Sequence, residues 1–437
     1  MTLIHNVDLE GTGTGWLTFN QDSGLITGTG TGAPDTQLFT ATPVSNIIDG
    51  GGCLLMPGAI DCHVHFRDPG LTHKGDMATE SAAAIAGGVT SVIDMPNTVP
   101  QTVTRALCDG KLTHASQVCT ANYGVFIGAT NDNLSELLEA DYSRIAGVKL
   151  FLGSSTGNML VNNADALRQL FSSVRVPICI HAEDEATIAR NRAAARARFG
   201  NNPVPVEWHS KIRSEEACIR ATAFAISLAE ETGARIHIAH VTTAREVEMA
   251  GDARARGVRV SCEVSPIHLT FCTDDYPRLG TRIKINPAVK GPDQRSALRS
   301  LVRAGQVDMF ATDHAPHLLS EKQGDANTAV SGAPIIQFAL PLLLSTFDAA
   351  TVASMYCRRP AEIYGIAGRG RLQPGYAADL VMLRHTAPYT VGDSDVVSRC
   401  VWTPLDQAVP LTWRVERVWL NGHTPNVNAA RPLAFSR

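Results

Sequence analysis

The sequence predicts a closed (β/α)8 barrel of the TIM type with a small flanking β-sandwich. Two observations carry this. Between Leu54 and about Ile366, strand-length apolar runs alternate with helix-spaced segments. On either side of that stretch the text turns to short β-type runs broken by glycine. Near-continuous hydrophobic strands separated by helices imply a parallel sheet, and eight repeats imply one that closes on itself, with its chemistry at the C-terminal strand ends. An open doubly wound sheet would need a glycine-rich fingerprint after its first strand. HVHFRDPG stands there instead.

Residues 1–55 contain GTGTG twice, at Gly11–Gly15 and Gly28–Gly32. Neither copy leads into a helix with a lysine aimed at an anion, so both read as turns between strands. The barrel strands are expected at Leu55–His65, Val89–Met95, Tyr123–Ala129, Gly147–Leu152, Pro177–His181, Arg235–Val241, Val258–Val264 and Val307–Asp313. Helical spacing falls between them at Met77–Ala86, Ala164–Val174, Glu215–Thr232 and Ala244–Arg256. After Gly368 the pattern is again β-type, in GRLQPGYAADLVML and WRVERVWLNG. The simplest arrangement pairs residues 1–55 with 367–437 in one small sandwich and leaves 56–366 to the barrel.

Composition narrows the function classes. The chain has 437 residues, 44% of them hydrophobic, and a formal net charge of −4. Nothing in this balance suggests a nucleic-acid or membrane partner. The arginines of RNRAAARARF, from Arg190, read as a solvated helix face. No segment has the form of a signal peptide or the length of a membrane span. The ten cysteines form no C-x-x-C pair, so they read as reduced, mostly buried thiols of a cytoplasmic protein. By strand alternation Cys62 should face away from its neighbours His63 and His65 and serve packing.

His63 and His65 stand two apart on a strand, so both imidazoles point to one side, at the mouth of the barrel. Paired imidazoles suit a borderline metal such as zinc. Lys149 lies in the apolar strand GVKLFLG, where a free ammonium costs several kcal/mol unless it is paired or neutralised. Either a buried carboxylate pairs it, or the neutral amine reacts with carbon dioxide to give an anionic carbamate. His181 ends the strand PICIH, His240 ends RIHIAH, and Asp313 ends VDMFATD. Each alone is a weak signal; the set, spread over strand ends, points to a metal-dependent hydrolase. His237 has the opposite parity from His240 and reads as core. His314 reads as structural, and His268 as either packing or support for a ligand. His73 and Lys74 should stabilise the loop after the first strand, and His209 and Arg213 suggest a docked loop. Leu318–Ser331 could close over the site, with Gly324 as a hinge.

The order H-x-H, Lys, His, His, Asp on eight strands resembles the amidohydrolase superfamily. The finer motifs resemble its dihydroorotases: HVHFRDPG at His63–Gly70, DMPNT at Asp94–Thr98, GVKLFLGSSTGNMLV at Gly147–Val161, HAED at His181–Asp184, HIAHVTT at His237–Thr243, INP at Ile285–Pro287 and ATDHAPH at Ala311–His317. GRLQPGYAADLVM, Gly370–Met382, extends the resemblance beyond the barrel. Many dihydroorotases of the longer-chain group have an acid where this chain has Lys149. The resemblance implies two divalent cations, zinc being the expected metal. His63 and His65 would hold one, His181 and His240 the other, and carbamylated Lys149 would bridge them. Asp313 would contact a metal and move the proton. Arg67 and Asn97, with His317, would bind a substrate carboxylate, while Asn286 and the backbone at Gly332 and Ala333 would hold the ring amide. The partner implied is a small molecule, and a homodimer is the default assembly. Allantoinases and hydantoinases share the metal set but act on uncharged rings. A non-catalytic scaffold of the same ancestry would be expected to lack a ligand or Asp313.

Overall fold

The computed structural model describes residues 1–35, 46–153 and 159–437, so the SSTGN part of the GVKLFLGSSTGNMLV motif lies outside the described residues. The chain opens with β1 (Thr2–Leu9), β2 (Thr14–Asn20), β3 (Leu25–Thr31), β4 (Asn46–Asp49) and β5 (Leu54–Pro57). The barrel strands are β6 (Ala59–Val64), β7 (Val89–Asp94), β8 (Asn122–Val125), β9 (Ile127–Gly128), β10 (Val148–Phe151), β11 (Ile178–His181), β12 (Ile236–Ile238), β13 (Val260–Val264) and β14 (Met309–Phe310). The last two strands are β15 (Leu380–Tyr389) and β16 (Leu411–Trp419).

Parallel pairing runs β6-β7-β8 and, separately, β9-β10-β11-β12-β13-β14. β8 and β9 are two pieces of one strand interrupted at Phe126, so eight strand positions result. The seam is joined beyond β14, where Val64 bridges His314 and the His65 amide donates to the His314 carbonyl at 2.8 Å. The expected first strand, Leu55–His65, is in fact two. Around Gly58 the chain leaves the terminal sheet (β5) and enters the barrel (β6), and a Cβ at Gly58 would lie 2.2 Å from the Thr90 side chain. Helices fall where the spacing placed them, and their ends are capped. Asp76 accepts from the Thr79 amide at 2.8 Å, and Ser214 opens Glu215–Thr232, which Gly233 ends at φ +69°.

The terminal segments pair in one seven-stranded sheet, ordered β16-β15-β5-β1-β2-β3 with β4 on β1. The C-terminal segment does more than fill that sheet. Its residues Trp402 and Leu405 are buried against Ile267, Ile285 and Phe338 near the C-terminal end of the barrel. Leu433 and Phe435 close the barrel interior around Ile60, Cys62, Phe126, Cys179 and Met309. Burying such side chains contributes roughly 1.5–3 kcal/mol each, which is what draws these stretches off the sheet. The outer faces of the strands, such as Ile178, Ile180, Ile236 and Ile238, pack with helix residues including Leu170, Ala225 and Val247.

Candidate active site

A cavity of about 360 Å³, mouth included, opens at the C-terminal strand ends. Its wall contains His63, His65, Arg67, Asn97, His181, His240, Asn286, Asp313 and Gly332 from the expected set, with Phe151, Ala315 and Ser331 added. Lys149, His317 and Ala333 are not on the wall. Three of these residues have left-handed backbone, at φ +66° for Arg67, +37° for His240 and +51° for Asp313. Such conformations cost non-glycine residues of order 1–3 kcal/mol, and they cluster where a side chain must be aimed.

That aim corrects the parity argument. Ile236 and Ile238 face the helices while His237 faces the barrel interior, where it meets Ser261 at 2.8 Å, Glu263 at 3.0 Å and the Tyr364 ring. His240 reaches the mouth through its backbone turn, not through strand alternation. Cys62 likewise packs inside the barrel, not outside it, because pairing shifts register between Asp61 and Val64 and the alternation breaks there. All ten cysteines are buried and unpaired.

His63, His65 and Asp313 converge. Asp313 Oδ1 lies 3.0 Å from His65 Nε2 and 3.4 Å from His63 Nε2, and one ligand atom from each lies within 4.8 Å of the others. Across the cavity, His181 Nδ1 faces His240 Nε2 at 3.0 Å. Each of three imidazoles has its other nitrogen held by an oxygen: His63 Nδ1 by Glu263 at 2.5 Å, His65 Nδ1 by Asn97 Oδ1 at 2.6 Å, and His181 Nε2 by Glu183 at 2.8 Å. This is how metal-ligating histidines are oriented and their tautomers set. Burial holds His65 down at about 4. It drives His240 well below the usual range, with the neighbouring His181, His63 and Lys149 side chains adding to the effect. Neutral rings are the ligating form. Burial pushes the Asp313 carboxyl up, but the facing His63 and His65 outweigh it and leave it below its usual range.

Six of the seven lysines are buried, which the sequence did not suggest. Lys111 pairs with Asp94 at 2.5 Å and Lys74 with Glu321 at 3.0 Å. Lys284 donates to the Ala329 carbonyl and Lys290 to that of Ala288. Lys322 donates to the carbonyls of Lys284, Val330 and Gly332 at 2.8–2.9 Å. Lys149 differs. Its described contacts are Cys179 Sγ at 3.6 Å and the Phe151 ring at 5.2 Å, with no oxygen acceptor and no carboxylate among the described residues. Of the two resolutions, a paired carboxylate is not seen among the described residues.

On the opposite wall, Arg67 is buried. Its Nε donates to the Pro316 carbonyl at 3.1 Å and its Nη2 to His317 Nε2 at 2.9 Å. No carboxylate pairs with it among the described residues, and burial lowers it to about 10. His317 stands behind Arg67, its Nδ1 3.5 Å from Glu321 and 3.2 Å from Lys74, and its carbonyl accepts from Trp402 Nε1 at 2.6 Å. It therefore positions the guanidinium and does not face the cavity. Asn286 Oδ1 accepts from His209 Nε2 at 3.1 Å. The Gly332 amide is spent on the Lys284 carbonyl at 3.0 Å, its own carbonyl on Lys322, and the Ala333 carbonyl on the Ala315 amide at 3.0 Å. The Gly332 amide and both carbonyls of the backbone expected to hold a ring amide thus have partners within the protein. A Cβ at Gly332, φ +139°, would meet the Ala315 carbonyl at 2.8 Å.

His314 is structural: it donates to Glu80 at 2.8 Å and accepts from the Ile335 amide at 3.1 Å. His268 donates to the Pro287 carbonyl at 2.9 Å. Leu318–Ser331 is tied down by Lys322 and by Asp325, which accepts from the Val204 amide at 2.8 Å. Sequence reasoning missed Glu263 and Glu183. Burial pushes both carboxyls up, but for Glu263 the facing His63 and His237, and for Glu183 Arg213 and His181, prevail; Glu183 sits at about 2 and Glu263 below its usual range. The signal was present, since Glu263 is an acid inside the apolar strand β13 and Glu183 follows His181 by two.

The amidohydrolase family model matches residues 54–422. The chain belongs to the amidohydrolase family. A relative named dihydroorotase from Halobacterium salinarum is 37% identical over 364 residues, covering 80% of this chain and 82% of that one. Another of that name, from Methanosarcina mazei, is 32% identical over 385 residues, covering 84% and 83%. Among solved structures, the L-hydantoinase (dihydropyrimidinase) of Arthrobacter aurescens superposes with a TM-score of 0.91 at 24% identity over 99% of both chains, a likeness of fold. No described helix is long and apolar enough to cross a membrane.

Proposed function

We propose that this amidohydrolase is a dihydroorotase, interconverting (S)-dihydroorotate and N-carbamoyl-L-aspartate. The observation that carries the reading is Arg67, a buried guanidinium on the cavity wall without an anionic partner among the described residues, in a cavity whose wall also carries His63, His65, His181, His240 and Asp313. A ring bearing a carboxylate supplies that partner; a hydantoin or allantoin ring leaves it unmatched. In this reading 56–366 is the catalytic barrel, with 1–55 and 367–437 accessory to it.

The donor set fits divalent metal. His63, His65 and Asp313 would hold one ion, and His181 and His240 a second, with carbamylated Lys149 between them; zinc suits these ligands. Bound there, the ions would supply Lewis-acid polarisation of the carbonyl and a lowered pKa for water. Arg67 holds the substrate carboxylate with a planar fork, and Asn97, which steadies His65, borders the same subsite. Asn286 faces the ring amide. In ring opening, water oxygen bonds to the amide carbon as the carbon–nitrogen bond breaks. The Asp313 carboxylate takes the water proton and returns it to the departing nitrogen; closure is the reverse. Phe151 excludes solvent from one side of the cavity.

The test is ring opening by purified protein of dihydroorotate, allantoin and hydantoin in parallel, before and after chelation. Chelator-sensitive turnover selective for dihydroorotate is expected. Preferential turnover of an uncharged ring would overturn the assignment of Arg67 and favour the hydantoinase reading.

A further inference from the structure

Beside the catalytic cavity lies a second recess of about 650 Å³, mouth included, lined by Arg192, Arg213, Lys284, His209, Asn286 and Ser331 among others, with no acidic residue on its wall. Asn286 and Ser331 line both spaces, so the two adjoin. The wall carries three cations of different standing. Arg213 is buried and spoken for by Glu183. Lys284 is buried and donates only to neutral oxygens, the Ala329 carbonyl and Ser331 Oγ. Arg192 is exposed at the rim. His209, which donates to Asn286 Oδ1, is held neutral by burial and by the neighbouring cations. The wall of the recess therefore carries net positive charge, while Asn286 and Ser331, which it shares with the catalytic cavity, are neutral.

The two substrates of the proposed reaction differ in charge. The ring form has one carboxylate, which Arg67 accounts for; the open-chain form has two. We propose that the recess is a second oxyanion site, which takes one carboxylate of the open-chain dicarboxylate as that molecule passes between solvent and the catalytic cavity. This rests on the dihydroorotase reading. A buried ammonium and a rim guanidinium on one wall offer charge-assisted donors to a carboxylate, and clustered charge in a recess focuses a field on an anion.

The experiment compares Arg192→Asp, Arg192→Lys and Lys284→Met with the unaltered protein, in both reaction directions, with calorimetric titration by inorganic phosphate as the probe. In Arg192→Asp, KM and kcat for ring closure of N-carbamoyl-aspartate should rise together, roughly three- to tenfold, while KM and kcat for ring opening of dihydroorotate should change less than about twofold, as a fixed equilibrium constant requires. Arg192→Lys should restore the unaltered values. Lys284→Met should shift the two KM values in the same unequal way. Phosphate should bind the unaltered protein, compete with the open-chain substrate, and lose affinity in Arg192→Asp. Equal shifts for the two substrates, or none, would overturn the proposal, as would phosphate that slows both directions alike without competing. If neither compound were turned over, the functional reading itself would fail; phosphate binding would then decide alone whether the recess is an anion site.

Discussion

Replacing Arg67 by lysine tests the carboxylate subsite with little collateral change. Lysine keeps the charge, and as a non-glycine residue it meets the same backbone cost at φ +66°. What it loses is the fork. In the protein, Arg67 Nε is spent on the Pro316 carbonyl and one Nη2 hydrogen on His317. The remaining Nη hydrogens form the planar pair available to a carboxylate. A lysine ammonium cannot reach Pro316, His317 and a substrate together, so one buried charge-assisted contact is lost. Such contacts are worth about 1.5–3 kcal/mol. KM for dihydroorotate should therefore rise roughly 10- to 150-fold, since about 1.4 kcal/mol is tenfold. kcat should fall less, because the reacting groups, Asp313 and the imidazoles, lie on other strand ends. Steady-state kinetics at saturating metal, with metal content measured on the same samples, read both quantities. Unchanged metal with unchanged KM would refute the reasoning, and so would an effect confined to kcat.

Other predictions address the supports of the site. Glu263→Gln, which alters the acceptor for His63 and His237, should weaken metal retention about 10- to 100-fold, read as metal content after dialysis against graded chelator. Lys149→Met should fold, because it places an apolar side chain against Cys179 and Phe151, yet it should lose divalent metal and turnover together; retention of full activity would remove Lys149 from the site. Lys322→Met removes a donor from three carbonyls, of which that of Lys284 keeps the Gly332 amide, and should lower stability by about 2–4 kcal/mol in denaturant titration. Lys284 carries the clearest pH signature. Burial lowers it to about 8 from the ordinary 10.5, so between those values the unfolded chain binds the extra proton. Its unfavourable contribution is full below about pH 8 and fades as pH rises to about 10.5, so stability gains with pH over that window. Lys284→Met should flatten that part of the stability profile, and an unchanged slope would show that Lys284 is not the titrating group.

Much of this protein was legible in one dimension. Apolar runs alternating with helix-spaced segments determined the barrel, because strands buried on both faces must be continuous in hydrophobicity and the intervening helices amphipathic. His63, His65, Lys149, His181, His240 and Asp313 stood out because polar groups at the ends of such runs have few structural uses. The supports were hidden for a physical reason. Glu263 reaches His63 across 200 positions and Trp402 reaches His317 across 85, and no local pattern encodes a contact between distant segments. Parity assigned packing to Cys62 and core to His237, as observed, but not the faces, because a register shift at Cys62 and a left-handed turn at His240 reset which face a residue takes. Gly332 lines the cavity, yet its backbone groups serve Lys284 and Lys322, which only packing could reveal. The sequence by itself determined the fold class and the residue types gathered at the strand ends, because both follow from local periodicity. The tertiary structure alone decided which nitrogen of each histidine faces the cavity, which cations lack a counter-charge, and that His317 backs Arg67, because hydrogen bonding and desolvation depend on neighbours that chain order does not specify.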